Sequence, residues 1–140
     1  MSDFRELQPV IGYEFRNISL LAQAMTHSSY SGGKNNGSNE RLEFLGDSVL
    51  SIISSRYLYT KFADCPEGEL TRMRAEVVCE RALSGYADTI RLGDYLLLGV
   101  GEEKNNGRRR KSILADAFEA LLAAIYLDAG ENGLETVERF

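Results

Sequence analysis

The sequence contains one histidine, two cysteines, two prolines and no tryptophan, and the shortage of histidine and cysteine closes off whole classes of metal site. One imidazole and two thiols far apart in sequence, Cys65 and Cys79, cannot complete an ordinary zinc set. A di-iron carboxylate bundle needs Glu-x-x-His pairs on two helices, so the single His27 excludes it as well. The cysteines are read as buried free thiols. No apolar run approaches the roughly 20 residues that would cross a bilayer, and Met1 to Glu6 lacks the basic-then-apolar order of a signal peptide. A cytoplasmic protein with no membrane partner is expected. Nucleophile-elbow, phosphate-loop, dinucleotide-binding and zinc-protease motifs are all missing.

What is present suffices for one domain with a real core: 140 residues, 44% of them hydrophobic. The net charge of −5 at first speaks against a polyanionic partner. Its distribution reverses that argument. Lys104, Arg108, Arg109, Arg110 and Lys111 fall in eight residues without an acid, whereas positions 112 to 138 hold no lysine or arginine. A basic rim beside an acidic pocket is the arrangement this predicts.

Apolar spacing predicts an all-α fold. A short helix spans about Phe4 to Val10, and a second about Ser19 to His27. Ser31 to Ser38, rich in glycine and asparagine, reads as a loop. Asn39 is placed to cap a long helix to about Phe62, with an apolar stripe of Leu42, Leu45, Val49, Ile52 and Ile53. Further helices open at Pro66 and run from Glu80 to Thr89. Gly93 to Asn106 looks irregular. Ser112 should cap an apolar helix ended by Gly130, and a last helix begins near Gly133.

On the long helix Glu40, Glu43 and Asp47 are spaced by three and four residues, so at 100° per residue they share an arc of roughly 60°. Nothing basic lies between Leu42 and Ser55 to neutralise them. A solvated acidic face is the alternative. Asp116 and Glu119 are harder to dismiss, because every other position from Ile113 to Leu127 is apolar, aromatic or alanine. Such a helix should be buried, and a buried carboxylate must be protonated, paired or bound to a cation. Four oxygen ligands from Glu43, Asp47, Asp116 and Glu119 would suit a hard cation such as Mg²⁺ or Mn²⁺.

The run Asn39-Glu40-Arg41-Leu42-Glu43-Phe44-Leu45-Gly46-Asp47-Ser48 resembles the signature of the ribonuclease III family of double-stranded RNA endonucleases. The resemblance continues through Thr26-His27-Ser28-Ser29-Tyr30, through Glu67 to Ala75 and through Ser112 to Ala120, in family order. It implies a catalytic domain over residues 1–140 with the helical fold of that nuclease, Mg²⁺ on Glu43, Asp47, Asp116 and Glu119, and Glu40 and Glu67 as further acids of the catalytic valley. Without the resemblance Glu67, beside Pro66, would be assigned to the helix macrodipole. Staggered cuts in double-stranded RNA, with 5′-phosphate and 3′-hydroxyl products, are implied too.

Phe44 stands on the acidic side of its helix, where an aromatic is awkward in a monomer. The resemblance implies a two-fold homodimer with Phe44 in a socket of the other subunit; packing within the subunit is the alternative. Lys104, Arg108, Arg109, Arg110 and Lys111 are assigned to RNA phosphates, a solvated loop being the alternative. His27 is assigned a structural role. Bacterial relatives carry a C-terminal double-stranded RNA-binding domain, which this sequence is expected to lack. A catalytically dead RNA-binding relative is the rival function, and the presence of all six acids argues against it.

Overall fold

The computed structural model describes residues 4–30 and 37–139. Among these residues eight α-helices follow one another: α1 (Phe4–Ile11), α2 (Ile18–Ala24), α3 (Glu40–Lys61), α4 (Glu67–Val78), α5 (Glu80–Thr89), α6 (Val100–Lys104), α7 (Lys111–Ala129) and α8 (Gly133–Arg139). Among the described residues the only β pairing is an isolated parallel bridge between Thr26 and Leu97. The all-helical reading therefore holds.

The fold is organised around α7. From Ile113 to Ile125 it is apolar on every side apart from Asp116 and Glu119, and all its residues except Asp116 are buried. A helix apolar all round must be covered all round. The long α3 lies along it, α5 and α2 pack on other sides, and α8 folds back after Gly130, whose φ of +68° favours glycine. Asp128, near the end of α7, anchors the chain between α1 and α2. Its carboxylate accepts from Tyr13 Oη at 2.6 Å and from the backbone N–H groups of Arg16 and Asn17 at 2.9 and 2.8 Å. These bonds hold the Asp128 carboxyl below its usual range despite burial, while burial and the same contact push the Tyr13 hydroxyl up to about 12.

Several boundaries differ from the sequence reading, each for a tertiary reason. The second helix stops at Ala24 instead of reaching His27, because Met25 and His27 exchange backbone bonds with Leu97: Leu97 N donates to Met25 O at 2.8 Å and His27 N to Leu97 O at 3.0 Å. Asn39 holds the capping position of α3 without capping it; its amide donates instead to Ala24 O at 3.1 Å, tying α2 to α3. Pro66 precedes α4 as its cap residue, and Arg110 takes the position before α7, leaving Ser112 within the first turn. The irregular stretch contains a 3₁₀ turn, Leu92–Tyr95, and α6. Ile52 lies 53% exposed at the margin of the α3 stripe, and both cysteines are partly exposed, so neither is a buried thiol. The loop read at Ser31 to Ser38 lies mostly outside the described residues.

Candidate metal centre

Glu43 on α3 and Asp116 and Glu119 on α7 each present an oxygen within 4.8 Å of the other two. Sequence spacing put two acids one turn apart on each helix. What brings the pairs together is Gly46. It is buried against α7 so closely that a Cβ there would stand 1.8 Å from the Glu119 carbonyl oxygen and 2.5 Å from its carbon. The two backbones touch one turn along from Glu43, which crowds the carboxylates beside that crossing.

Their electrostatics follow from this crowding. Glu119 is only 8% exposed. Burial, a hydrogen bond to Asp47 and the charges of Asp47, Glu43 and Asp116 raise its carboxyl to about 8. Burial and the Asp116 carboxylate, with smaller contributions from Glu40 and Asp47, raise Glu43 to about 7. Asp116 is raised by burial, although the bond from Glu43 opposes the shift. The carboxyls meet in two pairs, Glu43 with Asp116 and Glu119 with Asp47. The set fits a hard cation: all donors are oxygen, no Lys or Arg ion pair to these four acids occurs among the described residues, and in the absence of a cation the site must hold protons to relieve its own repulsion.

The other acids fall in three places. Glu40 stands exposed beside Glu43 and adds to its shift. Glu80, at the start of α5, lies close enough to Asp116 to raise its carboxyl and was not singled out by sequence reasoning; a single acid opening a helix looks like an ordinary dipole partner. Glu67 is elsewhere. It lines a cleft of about 430 Å³ between the second half of α3 and α4, together with Ile52, Ser55, Tyr59, Leu70 and Arg74. Within one chain it is not brought to the cluster. Gly46 was legible in principle, since a glycine inside a helix costs stability and usually marks a close contact.

Phe44 is 80% exposed, so packing within the subunit is ruled out for its ring. The basic segment proves uneven. Arg108 grips Glu103 with Nε and Nη2, at 2.6 and 2.7 Å, and donates from Nη1 to the carbonyls of Gly93 and Leu96, while Arg110 pairs with Glu102 at 3.2 Å. Acids just before the segment, at 102 and 103, thus engage two of the five cations assigned to RNA. Lys104, Arg109 and Lys111 are exposed and in no ion pair among the described residues.

Fold and site together define a helical domain whose two central helices carry a carboxylate cluster able to hold a metal ion. A family model described as ribonuclease-III-like matches residues 17–139, and the chain belongs to that family. It is 47% identical to Ribonuclease 3 of Listeria innocua over the whole of this chain and 61% of that protein, and 57% identical to Ribonuclease 3 of Syntrophomonas wolfei over 90% of this chain and 53% of that one. It thus spans between half and two thirds of the length of those relatives. The crystal structure of the nuclease domain of ribonuclease III from Campylobacter jejuni superposes with a TM-score of 0.90 at 42% identity, covering 99% of this chain and 90% of that one. A further structure of that nuclease domain, described as flexible in a region involved in dimer formation, gives 0.91, covering 98% and 92%.

Proposed function

We propose that residues 1–140 form the catalytic domain of a Mg²⁺-dependent endoribonuclease that hydrolyses double-stranded RNA, leaving 5′-phosphate and 3′-hydroxyl ends with a stagger, in RNA processing and decay. The observation that carries this reading is the convergence of Glu43, Asp116 and Glu119, with Asp47 hydrogen-bonded to Glu119, on a chain of this family. Glu43, Asp47, Asp116 and Glu119 would hold Mg²⁺, with Mn²⁺ as substitute. The ion, when bound, would acidify a coordinated water and offset charge on the leaving oxygen. The four carboxylates would fix its position through the rigid α3–α7 crossing, and Glu40 would add negative field beside Glu43. The exposed Lys104, Arg109 and Lys111 would take RNA phosphates, with A-form shape recognised and little base reading.

The active form in this reading is a two-fold homodimer. Phe44 adjoins Glu43 and shares an arc of about 80° on α3 with the exposed Ile52 and Tyr59. An exposed aromatic and an apolar cleft of about 430 Å³ on the same helix suit an isologous contact, in which each Phe44 enters the other copy's cleft. Glu67 lines that cleft, so the contact would carry Glu67 of the second copy toward Glu43. This gives Glu67 a place in the valley that one chain cannot supply. The test is incubation with duplex RNA and Mg²⁺ beside an EDTA control, with the product ends mapped. Staggered cleavage requiring the metal is expected; intact duplex with Mg²⁺ present would favour a binding protein without activity.

A further inference from the structure

Thr26-His27-Ser28-Ser29-Tyr30, between α2 and α3, is fastened more firmly than a connector requires. Thr26 O accepts from Asn39 N at 2.8 Å, Leu97 is bonded on both sides of Thr26, and Gly99 N donates to Ser29 Oγ at 2.9 Å. Gly99 presses so tightly that a Cβ would stand 2.4 Å from Ser29 O. The fastening holds one imidazole. Ser29 N–H donates to His27 Nδ1 at 3.1 Å. Ser29 Oγ, which accepts from Gly99, lies 2.8 Å from the same nitrogen, in position to donate to it as well. Two donors on Nδ1 leave the ring proton on Nε2. That N–H has no acceptor among the described residues, and the side chain is half-buried. The ring stands at the start of α3, since Asn39, whose N–H bonds Thr26 O, accepts in turn from Glu43 N at 2.8 Å.

A site of clustered carboxylates repels a phosphodiester and needs donors at its edge. A neutral imidazole supplies one without forming the ion pair by which a lysine or arginine would compete for the acids. We propose that His27 is a substrate-binding residue whose Nε2–H donates to a non-bridging phosphate oxygen of the strand lying across Glu43, Asp116 and Glu119. The proposal rests on the phosphodiester substrate inferred above and replaces the structural role first assigned to His27.

As the only histidine, His27 gives a single ring signal when the full chain is labelled with ¹⁵N-histidine. In the free protein Nε2 should carry the proton and Nδ1 should be a bare acceptor; a ring protonated on Nδ1 alone overturns the proposal. Adding a short RNA duplex and Mg²⁺ to labelled E119Q should move the Nε2 signal and leave Nδ1 in place; saturation with duplex that moves neither overturns it too. In cleavage, H27A should lose about tenfold in kcat/KM, the worth of one hydrogen bond at about 1.4 kcal/mol, and H27Q, with a donor at similar reach, should recover most of that. If the wild type cuts duplex RNA and H27A cuts as fast, the contact is wrong and the nuclease reading stands. If the wild type cuts nothing yet duplex moves Nε2, the nuclease reading fails and the contact stands.

Discussion

Glu43 and Glu119 keep protons in the folded chain that they would release on unfolding, since burial and neighbouring carboxylates raise them from the usual 4.5 to about 7 and about 8. The sign of the pH dependence follows. Between those values the folded state binds more protons than the unfolded state, so stability from these groups is complete below about pH 4.5 and is lost as pH rises through 7 and 8. Metal-free protein should therefore melt at a lower temperature at about pH 8.5 than at about pH 5.5. Mg²⁺ should remove most of the difference by replacing the protons. E119Q keeps the shape and deletes one charge, so at the higher pH the metal-free variant should melt several degrees above wild type, at about 4 °C per kcal/mol. It should gain less from Mg²⁺ and cut far more slowly. Calorimetry at both pH values, with and without Mg²⁺, checks this; an equal Mg²⁺ shift in both proteins would remove Glu119 from the metal site.

At the scale of elements, α3 divides its surface three ways. Leu42 and Val49 face the core, Glu40, Glu43 and Asp47 lie around the acid site, and Phe44, Ile52 and Tyr59 face outward. Gly46 sits between the core and the acids and sets how close α7 comes. G46A should force two backbones apart, because neither Glu119 O nor its carbonyl carbon is the end of a flexible side chain. Overpacking of this kind costs at least about 1–3 kcal/mol. Both stability and cleavage should fall, since the same shift separates Glu119 from Glu43. Gly85, inside α5 with nothing within 4 Å of a Cβ, is the control. G85A should stabilise by about 0.5–1 kcal/mol with activity unchanged. Melting curves of the two variants test the contrast, and a harmless G46A would show that the crossing is not what sets the site.

At the scale of the whole molecule, two surfaces stand out as unpartnered among the described residues: the Phe44 side of α3 and the cations around Lys104 and Lys111. F44D should leave the fold intact, because its ring is 80% exposed, and should abolish the dimer by removing the apolar ring that would fill the cleft. Sedimentation distinguishes the outcomes, and an unchanged dimer mass would put the interface elsewhere. Duplex binding should be weak and steeply dependent on salt, with a slope reflecting few released counterions, since Arg108 and Arg110 are engaged with Glu103 and Glu102. Titrations between roughly 50 and 200 mM salt measure it, and a flat response would reject the electrostatic picture.

The sequence alone determined the long helices and the acids. Periodicity over α3 and α7 is local, and two carboxylates one turn apart in an otherwise apolar helix violate burial so plainly that they mark themselves. Phe44 stood out for the same reason, as an apolar ring on a polar face. Only the tertiary structure decided which acids meet, because the meeting depends on a backbone contact between Gly46 and Glu119, residues far apart in the chain. It likewise withdrew Asn39 from capping, engaged Arg108 and Arg110 within the chain, and placed Glu67 in a cleft away from the cluster. It also turned the lone imidazole so that its Nδ1 accepts from the Ser29 N–H. Each of these outcomes is a choice among hydrogen-bond or packing partners that only a folded chain makes available, and local pattern carries no information about which partner arrives.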